Sequence, residues 1–182
     1  MLEGIARTIA AAHAQGHDIR GAIVGAVDAM AQQWARQALA TARHALPLLP
    51  DEGGVLTHCF ADRSLLYLLL EARRAGRTID LFCSETRPYL QGARLTALSA
   101  QQIGHKVTVI TDGMGGFLMR EGRVRMLVTA ADRVCLDGTI CNKVGTYQYA
   151  LAAHANGVPY YVLRQSGPDF ESAGAADIHV EY

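Results

Sequence analysis

The sequence predicts an α/β fold, a Rossmann-like parallel sheet flanked by helices and preceded by a short helical segment. Three observations predict it. Short runs rich in Val, Ile and Leu recur after about residue 54 and alternate with stretches of helical period. The runs lack polar alternation, as strands buried on both faces do. The polar residues able to do chemistry gather after the runs, not before them. With 182 residues, 50% of them hydrophobic, the chain is long enough to bury such a core. The expected organisation is a helical segment over 1–50 and a Rossmann-like domain over 51–182.

In order along the chain, Leu2, Ile5, Ile9 and Ala12 stand at helical spacing, and Gly16 suits the end of that helix. Asp18 suits the cap of a second helix reaching to about Ala45, with Ile23, Val27, Met30, Trp34 and Leu39 on one face. Pro47 and Pro50 close it, and Gly53-Gly54 turn the chain into the main body. Strands are then expected at 55–58, 79–83, 107–111, 126–130, 160–163 and 178–180. Helices are expected at 63–75, 92–103, 116–121 and 144–156. The helical front is expected to pack on the sheet domain.

Composition excludes several classes of function. Seventeen basic and seventeen acidic side chains cancel without a run of either sign, which argues against a nucleic-acid or membrane-surface binder. No apolar run approaches the roughly 18 residues that span a bilayer. Met1 to Arg7 lacks the pattern of a signal peptide, so a cytoplasmic location is expected. Cys59, Cys83, Cys135 and Cys141 form no Cys-x-x-Cys pair and no His stands at zinc-site spacing, so reduced thiols are expected and neither a metal nor another cofactor.

The strand exits carry the chemistry. They read Thr57-His58-Cys59, Cys83-Ser84-Glu85-Thr86-Arg87, Thr111-Asp112-Gly113, Asp132-Arg133 and Arg164-Gln165-Ser166, whereas the opposite loops are plain. In an open parallel sheet the ligand lies beyond the carboxyl ends of the strands. The stretch from Thr129 to Tyr147 is the expected working centre. Asp132 is a candidate acid or base, or else pairs with Arg133 or caps a helix. Cys59 precedes a helix whose positive end would favour thiolate, or else is an inert buried cysteine. His58 would point away from Cys59 along a strand. Lys143 and Arg87 suit an anionic group, and Gln91 and Asn142 suit hydroxyls. Arg87 and Arg94 can alternatively pair with Glu85 or Asp112. Gly113, Gly115 and Gly116 would let backbone N–H groups approach a phosphate.

Three segments then carry a family resemblance: Leu56-Thr57-His58-Cys59, Glu85 through Thr96 (ETRPYLQGARLT), and Ala131-Asp132-Arg133 with Asn142 through Tyr147 (NKVGTY). Ile110-Thr111-Asp112 adds to them. From about Gln33 onward the chain resembles the methylthioribose-1-phosphate isomerase family. Relatives of that family are ribose-1,5-bisphosphate isomerase and the α, β and δ regulatory subunits of eukaryotic initiation factor 2B. The resemblance implies an aldose–ketose isomerase of a phosphorylated pentose, of the methionine-salvage type, working as a homodimer without a cofactor. It implies Cys59 and Asp132 as the catalytic pair and Gln91, Asn142 and Lys143 as substrate-binding residues. The regulatory subunits imply the alternative, a non-catalytic ligand-binding module. The chain departs from the pattern at Phe60-Ala61-Asp62 and at Gly113. Its Arg20-Gly21-Ala22 triplet lies too close to Thr57 to match the family's phosphate-binding triplet, and reads as solvated helix surface.

Overall fold

The computed structural model describes residues 2–16 and 18–179. The chain divides into two compact units, one through Gln37 and one from Ala38 on. In the first, helix α1 (Leu2–Ala14) ends at Gly16, whose φ of 66° glycine adopts at least cost. Asp18 then caps α2 (Ile19–Ala45), its carboxylate accepting the Arg20 N–H at 3.0 Å.

The second unit holds the sheet. Its five strands are β1 (Gly54–Thr57), β2 (Asp80–Ser84), β3 (Lys106–Ile110), β4 (Val124–Ala130) and β7 (Tyr160–Leu163), all parallel, in the order β3-β2-β1-β4-β7. Helices α3 (Asp62–Arg74), α4 (Ala97–Ile103), α5 (Gly115–Arg120) and α6 (Thr146–Ala155) link the strands. Side chains alternate between the faces as the pleat requires. Val55, Leu81, Cys83, Met126 and Val128 pack with α3 and α4, while Leu56, Phe82 and Leu127 pack with α5 and α6, joined by Val124, which precedes a register shift against β1. Both faces of the central strands β1, β2 and β4 are therefore covered, which is why these read as apolar runs, while the edge strands β3 and β7 are only part-buried.

Two departures from the expected elements matter. No strand forms at Ile178–His179, and Val180 lies outside the described residues. The chain there has turned off the sheet: residues 172 and 173 accept N–H groups from Leu136 and Asp137, and Asp177 caps a short 3₁₀ turn, Ala175–Asp177. What receives that segment is an antiparallel hairpin, β5 (Arg133–Val134) and β6 (Ile140–Cys141), inside the expected Thr129–Tyr147 loop. Its turn is Asp137-Gly138, with Gly138 at φ 87°. The expected helix at 92–103 begins as a π-helical turn, Gly92–Thr96, before tightening into α4.

Candidate functional site

The strand order fixes where a ligand belongs. From β1 the chain steps outward to β2 and β3, then crosses back to β4 and β7 on the other side. The reversal lies between β1 and β4, and the crevice beyond their carboxyl ends is the usual ligand position in such a sheet. Cys59 stands two residues after β1 and Asp132 two after β4. In the parallel register Thr57 pairs with Val128.

Cys59 is half-buried and held in a left-handed backbone conformation, φ 64°. Its N–H donates to Thr86 Oγ1 at 3.0 Å, and its carbonyl accepts from Thr96 Oγ1 at 2.7 Å. Among the described residues four non-glycines have positive φ: Cys59, Asp62, Thr86 and Leu90. All four lie in the exits of β1 and β2. Such conformations cost about 1–3 kcal/mol each and gather where a site needs a fixed geometry. Burial pushes the Cys59 thiol pKa up, and the Asp132 charge pushes it further; the Phe60 N–H and the Lys143 ammonium pull it down. Burial wins. The net shift is thus upward, opposite to the expected bias toward thiolate.

Asp132 is exposed, and its backbone is pinned from two sides: its N–H donates to Cys141 O at 2.8 Å, and its carbonyl accepts from Arg164 at 3.1 Å. Arg133 turns away and pairs with Asp169 at 3.3 Å, so the adjacent Asp132–Arg133 pair does not form. Lys143 lies 5.8 Å from the centre of the Tyr89 ring and acts electrostatically on both Cys59 and His58. Asn142 donates to Thr146 Oγ1 at 3.0 Å, and that hydroxyl donates to Lys143 O at 2.7 Å, which fixes the turn into α6. Gln91 Oε1 is buried without a hydrogen-bond partner. The Arg87 and Arg94 side chains have no ion pair among the described residues; Arg87 meets Asp112 through its backbone N–H instead.

Asp132 and Lys143 thus both come within electrostatic reach of Cys59, with Gln91 and Arg87 on the neighbouring β2 exit. His58 takes no part in a Cys–His pair. It is buried, donating from Nε2 to Val144 O at 2.7 Å and accepting the Ser84 hydroxyl at Nδ1 at 2.6 Å. Asp62, next to the thiol in sequence, has its carboxylate bonded by the Gln165 side chain. A Cβ on Gly115 would lie 2.2 Å from the Tyr149 ring, so this glycine serves packing, and Gly113 faces open space.

A cavity of about 450 Å³ opens beside this rim, between the hairpin and α6. Asn142 and Lys143 line it together with Ile140, Val144, Ala150 and Tyr160; Cys59, Asp132 and Gln91 do not. Among the described residues no group of three or more His, Cys, Asp or Glu side chains is arranged to hold a metal ion, and no helix is long and apolar enough to cross a membrane. Thr86 and Arg164 stand in the strand exits and Thr96 ends the second family segment, but the sequence assigns none of them a role. Hydroxyls beside a strand exit carry no signal of their own until the loop conformation is known.

Comparison with known proteins bears on the family and the fold. A methylthioribose-1-phosphate isomerase of Desulfitobacterium hafniense is 36% identical over 172 residues, covering 90% of this chain and 50% of that protein. One of Heliobacterium modesticaldum is 44% identical over 127 residues, 66% of this chain and 37% of that protein. Among solved structures, the initiation factor eIF-2B subunit delta from A. fulgidus superposes with a TM-score of 0.74 at 29% identity, over 86% of this chain and 48% of its own. The 5-methylthioribose 1-phosphate isomerase from Pyrococcus horikoshii gives 0.70 at 28%, over 86% and 47%. The chain spans about half the length, or less, of these relatives. The model of the Initiation factor 2 subunit family matches residues 3–166, reaching well upstream of Gln33. The chain belongs to the Initiation factor 2 subunit family.

Proposed function

We propose that this chain carries the acid–base half of an aldose–ketose isomerase site for a phosphorylated pentose, with 5-methylthioribose 1-phosphate as the first substrate to test. The observation that carries the reading is the placement of Cys59 and Asp132 beyond the two strands that flank the switch point, with Lys143 acting on the thiol between them. The reaction is redox-neutral: the hydrogen on C2 moves to C1, the C2 hydroxyl loses its proton and becomes the ketone, and the ring oxygen gains one as the ring opens. A protonated thiol and a carboxylate form a pair in which one gives a proton and the other takes it. Lys143 and Arg87 supply positive charge for the phosphate, and Gln91 and Asn142 bond the sugar hydroxyls. Ribose 1,5-bisphosphate is the second substrate to test.

The test is conversion of the aldose to the ketose, followed by NMR. Wild-type protein is expected to turn over, and Cys59→Ser and Asp132→Asn each to lose at least about 10²-fold in kcat, the usual contribution of a positioned acid or base. Wild-type rates in either variant would end the assignment.

A second reading is a ligand-binding module without turnover, favoured by the TM-score of 0.74 to the eIF-2B delta subunit. Binding of the sugar phosphate with no conversion, unchanged by Cys59→Ser, would select it. Under either reading we propose a homodimer. Phe117 on α5 and Tyr147 and Leu151 on α6 leave large apolar side chains exposed. Sedimentation of the wild type against Tyr147→Glu tests it, with the variant expected to run as a monomer.

A further inference from the structure

We infer that Asp112 and Thr86 form a clamp that positions the Cys59 thiol, so that the β3 exit sets the geometry of a group carried by β1. The inference rests on Cys59 being the reactive group of the site proposed above. It is built from a chain of contacts that converge on one residue. Asp112 Oδ1 accepts the Thr86 N–H and Oδ2 accepts the Arg87 N–H, both at 2.8 Å. Thr86 is β-branched and sits at φ 65°, a conformation such a residue rarely adopts unaided. Its hydroxyl faces inward, donating to Ser84 O at 3.2 Å and accepting the Cys59 N–H at 3.0 Å. Cys59 is itself left-handed, and Thr96 takes hold of its carbonyl from the far side at 2.7 Å.

The clamp is anchored from behind as well. Tyr149 O–H and Gln148 Nε2, both on α6, donate to the Asp112 carbonyl at 2.6 and 3.0 Å. A Cβ on Gly92 would lie 2.8 Å from Thr86 Oγ1, so glycine at 92 leaves the room this hydroxyl occupies. Both peptide groups of a single strained residue are thus fixed by side chains from two other segments. A loop that only had to connect β1 to α3 would need neither bond. What the arrangement fixes is the direction in which Cys59 presents its sulfur. Thr86 and Asp112 are positioning residues and touch no reacting atom.

The test is run on the full chain with iodoacetamide as the thiol probe, each cysteine followed separately by mass spectrometry across pH, alongside turnover of 5-methylthioribose 1-phosphate. Thr86→Val keeps the shape of the side chain and removes the acceptor. It is expected to free the Cys59 loop toward water, move the Cys59 alkylation midpoint down toward that of an ordinary cysteine, and leave Cys141 unchanged. Turnover is expected to fall about 10²-fold in kcat, as for a reacting group displaced by about 1 Å, with KM little moved. Thr86→Ser restores both readouts. Asp112→Asn retains one acceptor oxygen and is expected to give a smaller shift in the same direction. Hydrogen exchange of the Cys59 amide, faster in Thr86→Val and Asp112→Asn, gives a reading that needs no substrate. A wild-type Cys59 profile and exchange rate in a folded Thr86→Val overturn the clamp; should that variant not fold, the same result in Asp112→Asn overturns it. A shifted profile in a protein whose wild type never turns over supports the clamp and defeats the isomerase reading instead.

Discussion

Two charges of opposite sign act on the Cys59 thiol, and each can be removed alone. Lys143 pulls the thiol's pKa down and Asp132 pushes it up. At a fixed pH near 8, Lys143→Met is therefore expected to slow alkylation of Cys59 and Asp132→Asn to speed it, each by up to about tenfold, the effect of one pKa unit. Equal rates in both variants would show that neither charge reaches the sulfur. Cys83 is an internal standard, since burial pushes its thiol up to about 12 and no alkylation is expected there under the same conditions. At this scale the sequence pointed to Cys59, Asp132 and Lys143 through their positions after strands. It did not reveal Thr86, whose role depends on a left-handed backbone, or the net direction of the Cys59 shift, which depends on burial.

Elements meet most closely where β2 hands over to the π-helical turn. A Cβ on Gly92 would lie 1.8 Å from the Ser84 carbonyl oxygen, a backbone atom with no room to yield. Gly92→Ala is expected to cost at least about 1–3 kcal/mol, as overpacking does, seen as a lower denaturant midpoint. Gly113→Ala meets nothing within 4 Å and is expected to stay within about ±0.5 kcal/mol. Equal midpoints for the two variants would show that the β2 exit adapts. The central strands were legible because burial on both faces leaves apolar runs, and the part-buried edge strands β3 and β7 because Val, Ile, Leu and Tyr dominate them. The hairpin was not, because two-residue strands carry no period, and only its Asp137-Gly138 turn marked it. Ile178 to Val180 resembled a strand by composition alone. The hairpin, by offering backbone partners to residues 172 and 173, draws the chain off the sheet before it reaches them.

Across the whole molecule, acid sensitivity follows from two histidines held neutral. His58 and His105 each donate from Nε2 to a carbonyl, Val144 and Leu69 respectively, and each accepts at Nδ1, from Ser84 and from the Ile79 N–H. Burial lowers both from the ordinary 6.5. Below that value the unfolded chain takes up protons that the folded chain refuses. The stability they contribute is full above the unfolded pKa and is lost as pH falls through the lowered one. Glu71, held by Arg74 and Arg43, and Asp169, held by the Glu171 N–H and Ser172, repeat the pattern below their ordinary 4.5 and 3.8. Tm is therefore expected to decline as pH falls below about 6.5 through the two histidines, and the solvent-screened Glu71 and Asp169 add little to it. A Tm flat between pH 7 and about pH 5 would contradict the assigned tautomers.

The sheet order also bears on the birth of the protein. During synthesis β2 and β3 emerge before β4, yet β4 is the strand that must settle against β1's free edge to bring Asp132 toward Cys59. A ribosome-bound chain ending at β3 has its thiol loop and no carboxylate opposite it. Pairing strands so distant in sequence carries the entropic cost of closing a long loop, and parallel pairs of this kind form slowly. If Cys59 and Asp132 form the proposed acid–base pair, nascent chains are inert toward substrate until the later half has been translated and has docked at the centre.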